Sequence, residues 1–297
     1  MRKHLSAARL AALVLTLLLS ACGRSPIAAK LGFGPAPAPL DTATLNSEID
    51  QRIGGIDTCV IILDTATGRR LYAYGQAETC ITPLPPCDLF DIPASLIGLD
   101  QGVITPTQVV KWDGTPQPIS AWNTDADLAK ALHLDIGWWF AKLATAIGHD
   151  RMVGGLRALD YGDQNTAGPL NSFWMGPQVG GALATTEGQQ ADFIRRFYAG
   201  DLKVAPAAIA AVQAATLDET RTDPKVGPVV ISGRDASCPS TADGGRTVSW
   251  WVGRIKSKTH DISFSASIEG TDAPPGIEIE QRLKDIFVDA GVLPAAR

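Results

Sequence analysis

The sequence predicts an α+β domain: one antiparallel sheet built from both ends of the chain, with a helical lobe inserted between. Three observations carry this. Strand-like runs gather near residues 59–74 and again after 228, the longest helix-spaced apolar pattern lies between them, and no internal repeat interrupts that order. A hydrophobic fraction of 45% and a charged fraction of 19% over 297 residues exclude disorder and leave ample material for a core.

Cys59 to Leu63 is an apolar β-rich run, Asp64 to Gly68 a turn, and Arg69 to Tyr74 a second strand, so a hairpin is expected. Pro83 to Pro86 breaks the chain. Phe90 to Leu99 follows as a helix, with Pro93 tolerated in its first turn. Asp127 to Ile147 has apolar residues at Leu128, Leu132, Ile136, Trp139, Leu143 and Ile147, the spacing of one long helix. Glu187 to Ala199 predicts another. Strands follow at Pro228–Ser232, Thr247–Ile255 and Ile262–Ile268, the first two joined through Asp243-Gly244-Gly245, and Ile277–Ala290 closes as a helix.

The N-terminus predicts export. Arg2, Lys3 and Arg9 precede the apolar run Leu10–Leu19, which is too short to span a bilayer. Leu19-Ser20-Ala21-Cys22 resembles a bacterial lipoprotein signal, which implies cleavage before Cys22 and its lipidation. Residues 1–21 are therefore expected to be a signal peptide. Residues 22–42, rich in Ala and Pro, form a tether, and 43–297 form the folded domain. Within that domain the sheet lobe is expected at about 43–87 and 200–297, and the helical lobe at about 88–199. The expected location is the membrane surface facing the periplasm, with the outer membrane favoured because Gly23, not Asp, follows the Cys. Removing the signal leaves 23 Lys+Arg against 31 Asp+Glu, a net charge of −8, which argues against nucleic-acid binding. Cys59, Cys80, Cys87 and Cys238 permit two disulfides in any of three pairings. His133, His149 and His260 stand in no metal or triad spacing, and no metal or cofactor is expected.

An ordered set of motifs resembles the class D β-lactamases. It runs Cys59-Val-Ile-Ile-Leu-Asp64, Thr67-Gly68, Phe90 to Val103, Lys111-Trp112-Asp113-Gly114, Trp122, Trp138-Trp139-Phe140, Tyr161-Gly162-Asp163, Phe173-Trp174 and Trp250-Trp251-Val252-Gly253. The resemblance implies the serine β-lactamase and penicillin-binding-protein fold. It also implies where the catalytic groups should stand, and there the chain departs. The family's Ser-x-x-Lys falls on Asp88 and Asp91, its second Ser on Asp135, and its Tyr-Gly-Asn on Tyr161-Gly162-Asp163. Its Lys-Thr-Gly falls on Arg234-Asp235-Ala236, and the Arg that holds a substrate carboxylate falls near Ile279, with Arg282 the nearest candidate.

Acylation of a lactam needs an oxygen nucleophile and a base to take its proton. Losing one member of such a unit costs on the order of 10⁶-fold in rate, or about 8 kcal/mol of barrier. No Ser-x-x-Lys occurs anywhere, and the one Thr-x-x-Lys, Thr222 to Lys225, lies far along the chain. The expectation is a non-catalytic envelope lipoprotein that binds a peptidoglycan-related peptide or a protein partner. The competing expectation is an active β-lactam hydrolase with another nucleophile. The candidate pocket residues are Asp88, Asp91, Asp135, Asp163, Arg234 and Asp235. For Asp88 and Asp91 two roles stay open: capping a helix start, or joining Asp135 in a site for a cation.

Overall fold

A computed structural model describes residues 39–54 and 57–296. The signal segment, Cys22 and the tether up to residue 38 lie outside the described residues. Helix α1 (Thr42–Ile53) starts where Asp41 accepts a hydrogen bond from the Thr44 amide. The hairpin follows as β1 (Asp57–Asp64) and β2 (Arg70–Tyr74), with Gly68 taking a positive φ in the turn. After it come α2 (Ala77–Ile81), a 3-10 turn at Cys87–Phe90, and α3 (Asp91–Asp100). The helices α4 (Leu128–His133), α5 (Gly137–Ile147), α6 (His149–Leu159), α7 (Glu187–Ala199) and α8 (Pro206–Ala215) come next. The chain closes with β3 (Leu217–Asp223), β4 (Gly227–Pro239), β5 (Thr247–Lys256), β6 (Asp261–Gly270) and α9 (Gly276–Asp289).

The six strands form one antiparallel sheet in the order β2-β1-β6-β5-β4-β3, so strands from both ends of the domain are neighbours, as the sequence predicts. Period-two alternation sorts the two faces. Val60, Ile62, Val229, Ile231, Trp251 and Phe264 pack under α1 and α9, while Val248, Trp250, Val252, Ala236 and Cys238 join the core of the helical side. Helix α7 lies on the sheet, against β6, β1 and β5. Helix α8, within the span expected for the sheet lobe, packs instead against α3 and α4.

The long helix expected over Asp127–Ile147 is two helices. Asp127 caps α4 by accepting from the Lys130 amide, α4 ends at His133, and Asp135 takes a left-handed φ of 55° before α5 begins. The apolar spacing continues through the break, since Leu132, Ile136 and Trp139 are all buried, and spacing alone cannot reveal a single left-handed residue.

Two disulfides are present. Cys59–Cys80 ties α2 to β1, and Cys87–Cys238 ties the turn before α3 to the end of β4. They close 21 and 151 residues respectively. The longer loop removes more freedom from the unfolded chain. Replacing Cys87 and Cys238 by Ser should therefore cost about 2–5 kcal/mol and exceed the cost of the Cys59/Cys80 replacement, as read from urea unfolding of the two double variants.

Candidate functional site

The start of α3 is anchored before any functional group is considered. Phe90 stacks on Trp174 at 4.7 Å and meets Phe173 edge-on at 5.0 Å. The Cys87 amide donates to the Trp174 carbonyl at 3.2 Å, and the Trp250 indole donates to the Pro85 carbonyl at 3.0 Å. These contacts, with the Cys87–Cys238 bond, hold Asp88 and Asp91 against β4.

Arg234 reaches across from β4. Its residue parity matches that of Ala236 and Cys238, so its side chain enters the helical side and is 7% exposed. One guanidinium nitrogen donates to Asp91 Oδ2 at 2.6 Å and to Asp135 Oδ1. Another donates to the Leu132 carbonyl, and Nε donates to the Asp88 carbonyl at 3.3 Å. The Leu132 carbonyl is available because α4 ends there, and a helix C-terminus favours a cation. The break at Asp135 thus supplies Arg234 with both a carboxylate and a backbone acceptor.

Three separated segments therefore meet where the alignment with the β-lactamase motifs places them. Carboxylate oxygens of Asp88, Asp91 and Asp135 all lie within 4.8 Å of one another. This spacing suits a hard cation, but the guanidinium already bonds two of the three. Neither Asp88 nor Asp91 caps a helix, so the capping role does not hold. No side-chain cap is made at the 3-10 turn or at α3. Burial pushes the Asp88 carboxyl up to about 7, Asp135 adds to the rise, and Arg234 opposes it. Burial also holds Asp91 well above the ordinary range, against the pull of Arg234. Burial works against the charge of Arg234 itself, but Asp135, then Asp91 and Asp88, outweigh it and raise its pKa.

The other expected pocket residues stand elsewhere. Asp235, one step along β4, points to the opposite face, toward α9, where burial raises the Glu280 carboxyl, Lys284 opposes the rise, and Asp235 adds a smaller push. Asp163 is exposed and accepts from the Asn165 and Ala184 amides, which fixes a loop. Ile279 is fully buried in α9, and Arg282 donates to the Arg52 carbonyl and pairs with Glu278. Ser95, the hydroxyl one turn beyond Asp91, is fully buried and donates to the Asp91 carbonyl at 2.6 Å.

The penicillin-binding protein transpeptidase domain matches residues 58–237, from β1 through most of β4. The chain belongs to that family. Within the family it is class D β-lactamase-like. The β-lactamase OXA-48 of Klebsiella pneumoniae is 28% identical over 211 residues, covering 70% of this chain and 75% of that enzyme. Regulatory protein BlaR1 of Bacillus licheniformis is 24% identical over 230 residues, but the match covers 36% of its length. The solved structure of FUS-1 (OXA-85), a class D β-lactamase from Fusobacterium nucleatum subsp. polymorphum, overlays with a TM-score of 0.74 at 20% identity. That overlay covers 84% of this chain and 98% of FUS-1, and it establishes the fold.

Sequence reasoning missed a second polar group in this family fold. Glu187, in the first turn of α7, is 2% exposed and faces the Ser265 and Ser267 hydroxyls of β6. No donor reaches either of its oxygens at hydrogen-bond distance and angle. Gln190, Tyr161 Oη, Ser265 Oγ and Asp91 Oδ1 are likewise buried without partners. The run Glu187 to Ala199 signalled a helix and nothing about burial; a charge at a helix start looks solvated until the sheet beneath is known.

Two outcomes follow from this geometry. Asp91→Ala leaves the buried guanidinium with one half-exposed carboxylate and should cost about 3–5 kcal/mol. Asp135→Asn, whose side chain is 49% exposed and whose new residue tolerates a left-handed φ, should cost about 0–1 kcal/mol. Chemical denaturation of both variants checks the contrast. Burial raises Glu187 to about 7, so the folded chain keeps its proton after the unfolded chain has lost it. Stability then falls as pH climbs from about 4.5 to 7. Glu187→Gln should match the parent at pH 4 and exceed it by on the order of 3 kcal/mol at pH 8, measured by urea unfolding at each pH.

Proposed function

We propose that this chain is a non-acylating member of its family, a binding module rather than a β-lactam hydrolase. The observation that supports it is the ion-pair plug at the family's catalytic positions. A guanidinium lies between Asp91 and Asp135, and Asp88 stands where the family's motif has its serine. A carboxylate has no hydroxyl proton to yield to a base, and attack on an amide would form an unstable mixed anhydride. An aspartate at the family's Lys position cannot form the carbamate that serves as that base. Ser95 does not favour the competing hydrolase reading, because its hydroxyl is buried and committed to the helix backbone.

The ligand proposed for the module is a peptidoglycan-related peptide carrying a free amine, or an envelope protein presenting one. Asp88 and Asp135 offer carboxylate at the edge of the plug, and Asp135 is half-exposed there. The chain is further proposed to be a lipoprotein anchored through Cys22 on the periplasmic side of the membrane, with the outer membrane favoured. Support for this comes from the signal-like segment that ends in Leu19-Ser20-Ala21-Cys22.

Incubation with a fluorescent penicillin, followed by denaturing electrophoresis and intact mass, should show no adduct, and nitrocefin should not turn over. A covalent adduct or ordinary enzymatic hydrolysis overturns the reading. In the same preparation, an amine-bearing stem peptide should bind, and Asp88→Asn with Asp135→Asn should weaken it; unchanged affinity overturns the ligand assignment.

A further inference from the structure

The face of α7 that meets the sheet is polar where a core is expected. Glu187 and Gln190 stand three residues apart on α7, so they share that face. Beneath them Ser263, Ser265 and Ser267 alternate along β6, on the side that carries Trp250 and Val252 of β5. Ser263 is satisfied by Thr65 at 2.9 Å. Both Glu187 oxygens, both polar atoms of the Gln190 amide and Ser265 Oγ have no partner in hydrogen-bond geometry. The row continues toward the plug. Tyr161 Oη faces the Gln190 amide and the Asp91 carboxyl, and it is unpartnered, as is Asp91 Oδ1. Asp91 Oδ2 is the oxygen held by Arg234. Five side chains, none more than 2% exposed, thus form one buried polar row from the first turn of α7 to the ion-pair plug.

A buried polar group left unmet costs about 1–3 kcal/mol, and a fold does not hold five along one seam unless something meets them. The walls supply no donor. Phe193 packs edge-on against the Tyr161 ring at 4.7 Å, Phe90 lies 6.2 Å from the same ring, and Ala191, Cys59 and Ile61 cluster on the sheet side. The chemistry of the row decides what fills it. The Glu187 and Asp91 oxygens accept, the Ser265 and Tyr161 hydroxyls donate, and the Gln190 amide does both. A metal ion would serve the acceptors and leave the Gln190 N–H groups facing a positive charge. Water gives two hydrogen bonds and takes two, so it meets both kinds, and a buried molecule needs only about two to four polar partners.

The two ends of the row are carboxyls in different surroundings. Helix α7 packs on β6, β1, β5 and α2. Among the described residues, no charged side chain of those elements bears on Glu187: burial lifts it to about 7, and the Ser265 and Ser267 hydroxyls pull it back. At the far end Arg234 of β4, Asp88 before α3 and Asp135 of the α4–α5 break act on Asp91. A file of hydrogen bonds has a direction, so carboxylates at its two ends compete for the same hydrogens.

We propose that the seam between α7 and β6 binds a file of internal water, running from Glu187 past Gln190 and Tyr161 to Asp91, and that this file links the protonation of Glu187 to the ion-pair plug.

The test joins a crystal structure of the full chain, fine enough to place ordered water, to a pH titration of the same chain in detergent followed by carbon-13 NMR of the Glu187 carboxyl. The crystal structure is expected to show water hydrogen-bonded to Gln190, to Tyr161 Oη and to a Glu187 oxygen. Direct side-chain bonds that close the seam without water overturn the proposal. In the titration, Asp91→Asn removes the competing charge and keeps the shape, and it should lower the Glu187 midpoint by on the order of 0.5 in pH. Made in a Tyr161→Phe or a Gln190→Leu background, the same change should leave the midpoint of that background where it is, because the file is cut. An Asp91→Asn effect that survives both cuts is a direct field between the charges and overturns the link. A Glu187 midpoint that Asp91→Asn does not move overturns it as well.

Discussion

A guanidinium removed from water cannot stand alone, and Arg234 shows how much of a fold one such group can organise. It is reached from three places in the chain. The start of α3 gives Asp91 and the Asp88 carbonyl, the end of α4 gives the Leu132 carbonyl, and the break that follows gives Asp135. The last two acceptors exist because a helix stops there. Leu132 has a free carbonyl only where the helix ends, and Asp135 turns inward only from a left-handed backbone. The charge and the irregular backbone are thus one arrangement, and removing either would leave the other without compensation.

The same junction is held covalently and by packing. Cys87 precedes Asp88, Cys238 lies four residues beyond Arg234, and the two are bonded. Phe90, Phe173 and Trp174 fill the space behind. The fold brings α3, the α4–α5 connection and β4 together around Arg234. The residues there set the chemistry, and a shared fold leaves them free to differ.

Much of the scaffold was legible because its signals are periodic. The hairpin around Gly68, α3 with its early Pro93, α7 with its Thr186 and Gln189 capping box, and the closing helix all carry patterns that need no tertiary information. Helix α8 and strand β3 were not recognised; Pro206–Ala215 is mostly alanine and Leu217–Asp223 is a polar edge strand, so neither shows a strong apolar rhythm. At the site, motif order foretold that Asp88, Asp91, Asp135 and Arg234 would meet. It misplaced Asp235, whose side chain the pleat sends to the other face. Glu187 was invisible as a buried charge, because its burial comes from the serine row of β6, eighty residues away in sequence.

The Cys87–Cys238 bond has one more consequence. It encloses α3 to α8 together with β3 and nearly all of β4 in a single covalent ring. A peptidase that nicks the chain once within that ring does not release a fragment. Both pieces travel together until a reductant separates them, so a clipped molecule keeps its mass, apart from one added water, and keeps the halves of the ion-pair plug within reach of each other.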